Sequence, residues 1–281
     1  MKFSVVLSTD PTQFNAVAFQ GDFEENVARI ADIGYAGVEL AIRDPGQIDV
    51  AAVQQVIARN NLVVPAIGTG QAYGEDKLSF TSPDEAVRAE AITRIKAHIS
   101  LAAELEAVVI LGLIRGAVPP GVAREQAMGW LVGALRDCAE VAARMGVQMV
   151  IEPISRAETD LINTIDEGLD LLAQVGADGG TLGLLPDTYH MNIEEASMEE
   201  SMRSAAGHIF HFHVADSNRR YPGAGDLDFG RILSLLEDDL GYEGWVSAET
   251  LPYPDAITAA RKGLAHLQAS IVNHKQLNRQ N

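Results

Sequence analysis

Four short apolar runs in the second half of this chain each end in a side chain able to hold a cation or carry a proton. They read Val150-Ile151-Glu152-Pro153, Leu185-Pro186-Asp187-Thr188-Tyr189-His190, His211-Phe212-His213-Val214-Ala215-Asp216 and Ser247-Ala248-Glu249-Thr250. Alternation along an extended strand puts Gln148, Val150 and Glu152 on one face, Trp245, Ser247 and Glu249 on one face, and His211 and His213 on one face. If those faces point into a common interior, Glu152, Asp187, His213 and Glu249 converge on one point. Spacing alone does not separate His213 from His211. Three carboxylates and an imidazole form a hard, oxygen-rich donor set that suits one divalent ion. Mn²⁺ is the first expectation, with Co²⁺, Mg²⁺ or Zn²⁺ as alternatives, and nothing resembles a closed cysteine-based zinc site. A single carboxylate at a strand end is ordinarily a helix cap or a solvated loop residue. Four such ends in succession differ, because carboxylates crowded without a counter-charge repel and resist ionisation.

Convergence requires elements that bring the run ends together. The chain has eight runs: Phe3–Leu7, Gly37–Ala41, Val63–Ile67, Ala107–Leu111, Gln148–Ile151, Thr181–Leu185, Ile209–Val214 and Trp245–Ala248. Between them lie segments with apolar residues at helical spacing, such as Leu131, Leu135, Cys138, Val141 and Ala142. Thr164 to Glu167 and Ser197 to Glu200 read as capping boxes, and Gly34, Gly146 and Gly241 stand where helices stop. Eight β-then-α units predict an α/β fold of one domain, a (β/α)8 TIM barrel over residues 1–273, with a polar tail at 274–281. A doubly wound open sheet is the alternative. It ordinarily carries a glycine-rich loop after its first strand, and Ser8-Thr9-Asp10-Pro11-Thr12 is not one.

Composition narrows the function. With 39 acidic against 21 basic residues the net charge is −18, which repels phosphate backbones and argues against nucleic acid as a partner. No apolar stretch is long enough to span a bilayer, and the opening MKFSVVLSTD lacks the apolar region of a secretory leader. The single cysteine, Cys138, reads as a buried structural thiol. A cytoplasmic enzyme is the expectation.

The same residues carry a family likeness. Glu152-Pro153, the string from Asp187-Thr-Tyr-His190 through Met-Asn-Ile-Glu-Glu, His211-Phe-His213 leading to Asn218-Arg219, Pro222-Gly223-Ala-Gly225 and Glu249 resemble the xylose-isomerase-like sugar isomerase and epimerase superfamily. Within it the chain is similar to ketose 3-epimerases of the D-tagatose or D-psicose type, and more so to 5-keto-L-gluconate epimerases. The resemblance implies that Glu152, Asp187, His213 and Glu249 hold the metal, with His213 rather than His211 as ligand. It implies that Glu152 and Glu249 double as the acid/base pair, and that Glu158, His190 and Arg219 contact substrate oxygens. It also implies a homo-oligomer, dimer or tetramer.

The expected reaction is epimerisation of a ketose or keto-hexonate through an enediolate, one glutamate removing a proton and the other returning one from the opposite face. An aldose–ketose or hydroxypyruvate isomerase, or an inosose dehydratase, would use similar apparatus. An endonuclease-like reading expects more histidines and a basic groove, and a non-catalytic sugar-binding barrel would not need the two glutamates as bases. Arg43, on the Glu39–Ala41 face, and Arg115, after the fourth run, are candidates to clamp a substrate carboxylate. The competing reading pairs Arg43 with Asp44 or Glu39, and Arg115 with a loop acid. Tyr73 and Phe80 are candidates for the pocket wall.

Overall fold

Every apolar run becomes a strand followed by helical structure in the computed structural model, which describes residues 1–176 and 180–278. The chain runs β1 (Lys2–Ser8), α1 (Phe23–Ile33), β2 (Gly37–Ala41), α2 (Val50–Arg59), β3 (Ala66–Gly68), α3 (Gly70–Gly74), α4 (Glu85–Leu105) and β4 (Val108–Leu111). It continues through α5 (Arg124–Met145), β5 (Met149–Ile151), α6 (Ile165–Val175), β6 (Leu182–Leu184), α7 (Thr188–Glu194) and α8 (Met198–Ser204). It ends with β7 (Phe212–Val214), α9 (Phe229–Ser234), β8 (Trp245–Ala248) and α10 (Ala256–Asn278).

The strands pair in parallel in the order β6-β5-β4-β3-β2-β1-β8-β7. The two ends of that series meet. Leu184 N–H donates to His208 O at 2.7 Å, Phe210 N–H to Leu184 O at 3.1 Å, and His213 N–H to Pro186 O at 2.9 Å. Parallel bridges join Leu184 with Ile209 and Asp187 with His213. The result is the expected single (β/α)8 barrel. Two strands are shorter than their runs. β3 starts at Ala66 because Pro65 has no N–H to give a ladder, although Val63 still bridges Gly37. β7 starts at Phe212, its upstream part being held only through the closure contacts.

Period-two alternation sorts the side chains. Ala66, Ile110, Val150 and Leu185 form a small inner cluster. Ile67, Val109, Leu111, Met149 and Ile151 face the helices and join the large core, as does Cys138. Val150 points inward, so Glu152 does too. Helix starts are capped as the composition suggested. Thr164 Oγ1 accepts from Glu167 N–H at 3.3 Å, while the Glu167 carboxylate reaches back to Asn163 N–H at 2.7 Å, and Ser197 Oγ accepts from Glu200 N–H at 3.3 Å. Gly34 (φ 105°) and Gly146 (φ 67°) take the left-handed conformation that closes α1 and α5. The last helix continues to Asn278, past the boundary at 273 drawn from composition, and residues 279–281 of the polar tail lie outside the described residues. Among the described residues no helix is long and apolar enough to cross a membrane.

Candidate functional site

The C-terminal rim of the barrel encloses a cavity of about 420 Å³, and its floor is charged. Ligand-competent atoms of Glu152, Asp187, His213 and Glu249 all lie within 4.8 Å of one another. Strand ends place them. Glu152 follows β5, and its N–H donates to Leu111 O at 3.4 Å. Asp187 caps α7, its Oδ1 accepting from Tyr189 N–H at 2.8 Å. Thr188 ties the ends of β6 and β7 together: its hydroxyl donates to Ala215 O at 2.7 Å and accepts from Ala215 N–H at 3.0 Å. Glu249 follows β8, with its N–H 3.3 Å from Val214 O.

The expected substrate contacts surround this floor. His190 Nδ1 accepts from Ser155 N–H at 3.3 Å, which leaves Nε2 as the protonated nitrogen. That nitrogen lies 3.8 Å from Glu152 Oε1 and 4.0 Å from Asp187 Oδ2. Arg219 donates to Asp187 Oδ2 at 2.7 Å, pairs with Glu249, and lies 4.7 Å over the Tyr189 ring. Glu158 lines the rim.

Burial raises the pKa of Glu152, and the neighbouring Glu249 charge raises it further. Burial likewise raises that of Glu249, against the opposing pull of Arg219 and His213. Burial would raise Asp187 too, but Arg219, His213 and the hydrogen bond from Tyr189 N–H hold it low. Burial pushes His190 down to about 3, so its ring is neutral at ordinary pH. Burial would also lower His213, but Glu39, Glu249 and Glu152 raise it to about 10.

These observations fit a divalent cation. His213 Nδ1 is buried without a hydrogen-bond partner, and it faces Glu152 Oε1 and Glu249 Oε2, each at 3.9 Å. The carboxylates that draw a proton to this nitrogen would draw a cation in its place, with release of that proton.

Two of the predicted residues are not at the site. Arg115 is completely buried and does not line the cavity. Its guanidinium donates to the carbonyls of Leu161 (3.0 Å), Gly112 (2.9 Å) and Ile162 (3.0 Å), so it fastens the loop after β4 to the loop after β5. Its partners are carbonyls, not the loop acid weighed against the clamp. Arg43 also leaves the pocket. β2 ends at Ala41, the alternation stops there, and Arg43 turns outward to pair with Asp76, which Arg94 also holds at 2.8 Å. Neither arginine lines the cavity, and the contacts each makes are of a structural kind. Arg115→Ala should cost about 3 kcal/mol by orphaning three carbonyls, lowering Tm by roughly 6–9 °C. Below the transition KM should barely change. A large rise in KM confined to acidic substrates, with Tm preserved, would restore the clamp.

Other residues came to notice only in three dimensions. Glu39, from β2, lies under the site and accepts hydrogen bonds from both His211 and His213. A Cβ at Gly112 would sit 3.0 Å from Glu152 Oε2, so the glycine leaves room for that carboxylate. Asp216 accepts from the N–H groups of Ser217, Gly223 and Leu227 and so folds the loop that presents Arg219, itself at φ 61°. The wall differs from expectation: Phe80 is buried in the core and Tyr73 packs beside it, while Phe14, Val17 and Gln71 line the cavity. Buried polar residues inside apolar strands were the available signal for Glu39. Nothing local marked Phe14.

The sequence pattern of the family described as "Xylose isomerase-like TIM barrel" matches residues 27–270. An L-ribulose 3-epimerase of Mesorhizobium japonicum is 32% identical over 244 residues, covering 83% of this chain and 79% of that protein. A D-psicose 3-epimerase of Ruminiclostridium cellulolyticum is 30% identical over 237 residues, covering 82% and 79%. The crystal structure of a D-allulose 3-epimerase from Methylomonas sp. in complex with D-allulose superposes with a TM-score of 0.81 at 25% identity, covering 96% of this chain and 97% of that one.

Proposed function

This chain belongs to the xylose isomerase-like TIM barrel family, and on that premise we propose that it is a divalent-metal-dependent ketose epimerase acting on a neutral sugar. The observation that carries the reading is the meeting of Glu152, Asp187, His213 and Glu249 within 4.8 Å, with Glu152, His213 and Glu249 exposed to one cavity. These four would hold the ion, and Mn²⁺ suits their oxygen-rich set. When bound, the ion supplies positive charge against which a ketone and its neighbouring hydroxyl can develop negative charge.

The remaining work falls to the side chains. Glu152 and Glu249 are the two general bases, one taking the proton from the carbon beside the ketone and the other returning one to the opposite face of the planar enediolate. His190, neutral and protonated on Nε2, donates to a substrate oxygen, while Arg219 and Glu158 hold hydroxyls.

Charge favours a neutral ketose over a keto-hexonate. The cavity is lined by Glu39, Glu75, Glu152, Glu158 and Glu249 against Lys77, His213 and Arg219, and of these His213 is already paired with Glu39 and Arg219 with Asp187 and Glu249. A substrate carboxylate would meet like charge. The names of the relatives, an L-ribulose and a D-psicose 3-epimerase, support inversion at C3 of a neutral sugar. The test is incubation with Mn²⁺ in D₂O with L-ribulose, D-tagatose, D-fructose and 5-keto-L-gluconate. Inversion with deuterium at the inverted carbon is expected. The kcat/KM for the best neutral ketose should exceed that for the acid at least about tenfold, or about 1.4 kcal/mol. Preference for the acid would overturn the neutral-substrate reading. Deuterium at C1 with aldose formation would make the enzyme an isomerase.

A further inference from the structure

Beneath the four converging residues lies a second, wholly buried group made of Glu39, His211 and His213. His213 Nε2 lies 3.0 Å from Glu39 Oε1 and 3.1 Å from Oε2, and His211 Nε2 lies 2.8 Å from Glu39 Oε2. These are hydrogen-bond lengths, so protons on the two imidazoles join the group. A carboxylate only accepts, hence each Nε2 must carry a hydrogen. With Nε2 occupied in this way, the nitrogen that His213 turns toward Glu152 and Glu249 is Nδ1, and Nδ1 has no partner of its own.

We propose that Glu39 is a positioning residue: it fixes the tautomer and ring orientation of His213 so that Nδ1 presents its lone pair to the cation, and His211 holds Glu39 in place for that task. The inference rests on the metal-dependent reading above. The physical case is that an imidazole offers one lone pair to a cation only when its other nitrogen keeps the proton. A charged acceptor behind that proton also makes the free nitrogen a stronger donor. Glu39 is 1% exposed and receives both imidazoles, so its charge is spent inside the barrel on these two rings. Glutamine at this position has the same shape. Its amide oxygen can serve only one ring well, its NH₂ faces a second N–H, and the charge is lost.

The experiment uses the full chain stripped of metal and titrated with Mn²⁺ by calorimetry and electron paramagnetic resonance. Glu39→Gln should weaken Mn²⁺ about 10–100-fold. His211→Gln, which keeps a donor for Glu39, should stay within about threefold of wild type. Independently, the ¹⁵N spectrum of the Mg²⁺-loaded wild type should show His213 protonated on Nε2. This measurement decides the matter even where Glu39→Gln does not fold. Mn²⁺ affinity unchanged within about threefold in folded Glu39→Gln, or a proton on Nδ1 of His213 in the loaded wild type, overturns the role of Glu39 and leaves the metal-dependent reading standing. A wild type that takes up no Mn²⁺ overturns both.

Discussion

Glu152→Gln and Glu249→Gln are each expected to lower kcat for epimerisation by about 10²–10⁴-fold. Glutamine matches glutamate in volume, so the cavity keeps its shape while one of its two bases is lost. The reaction needs a base on each face of the intermediate, so neither carboxylate can cover for the other. The two variants should still differ in one respect. The variant that keeps the base on the face of the substrate's own hydrogen can still deprotonate it and should exchange it with D₂O faster than it inverts the carbon, whereas the other variant should do neither. Since both residues also belong to the proposed cation site, kcat is to be compared at saturating Mn²⁺, with occupancy measured in parallel. Near-wild-type inversion by either fully loaded variant would sink the two-base scheme.

Removal of divalent metal is expected to abolish turnover, and readdition of Mn²⁺ or Co²⁺ to restore it. The protein itself should survive the removal. Arg219 already pairs with Asp187 and Glu249, and Glu39 pairs with His213, so much of the buried charge has a partner without the ion. Folding should therefore persist in the metal-free state at reduced stability. Mn²⁺ at about a hundred times its Kd should add about 2.7 kcal/mol, or a Tm rise of roughly 5–8 °C. Thermal unfolding with and without the ion checks the second part, and a chelator-treated activity assay checks the first. Full turnover in rigorously metal-free protein would end the metal-dependent reading.

The convergence of Glu152, Asp187, His213 and Glu249 was legible because strand alternation is local. Val150 packs inside the barrel, and Glu152, two residues on and one past the end of β5, points the same way because its N–H still reaches Leu111 O on the neighbouring strand. The arginines show where that reasoning stops. Arg43 extends the Glu39–Ala41 face only if the strand continues, and it ends at Ala41. A long, flexible side chain beyond a strand end goes to the best acceptor in space, and that acceptor was Asp76, 33 residues away. For Arg115 the acceptors were carbonyls of a loop 46 and 47 residues distant, which no residue type announces.

Periodicity, capping and alternation over a few residues laid out eight strands with their helices and the inward faces that carry the candidate residues, while the family resemblance, not spacing, picked His213 over His211. The tertiary structure alone decided what stands behind that set. Glu39 reaches His211 and His213 across 172 and 174 residues of chain, because barrel closure sets β2 across the interior from β7. The same closure chose Phe14, Val17 and Gln71 as pocket walls and sent Arg43 and Arg115 elsewhere. Local pattern fixes the direction in which a strand residue points, but its partner there depends on which distant strand the closed sheet brings opposite.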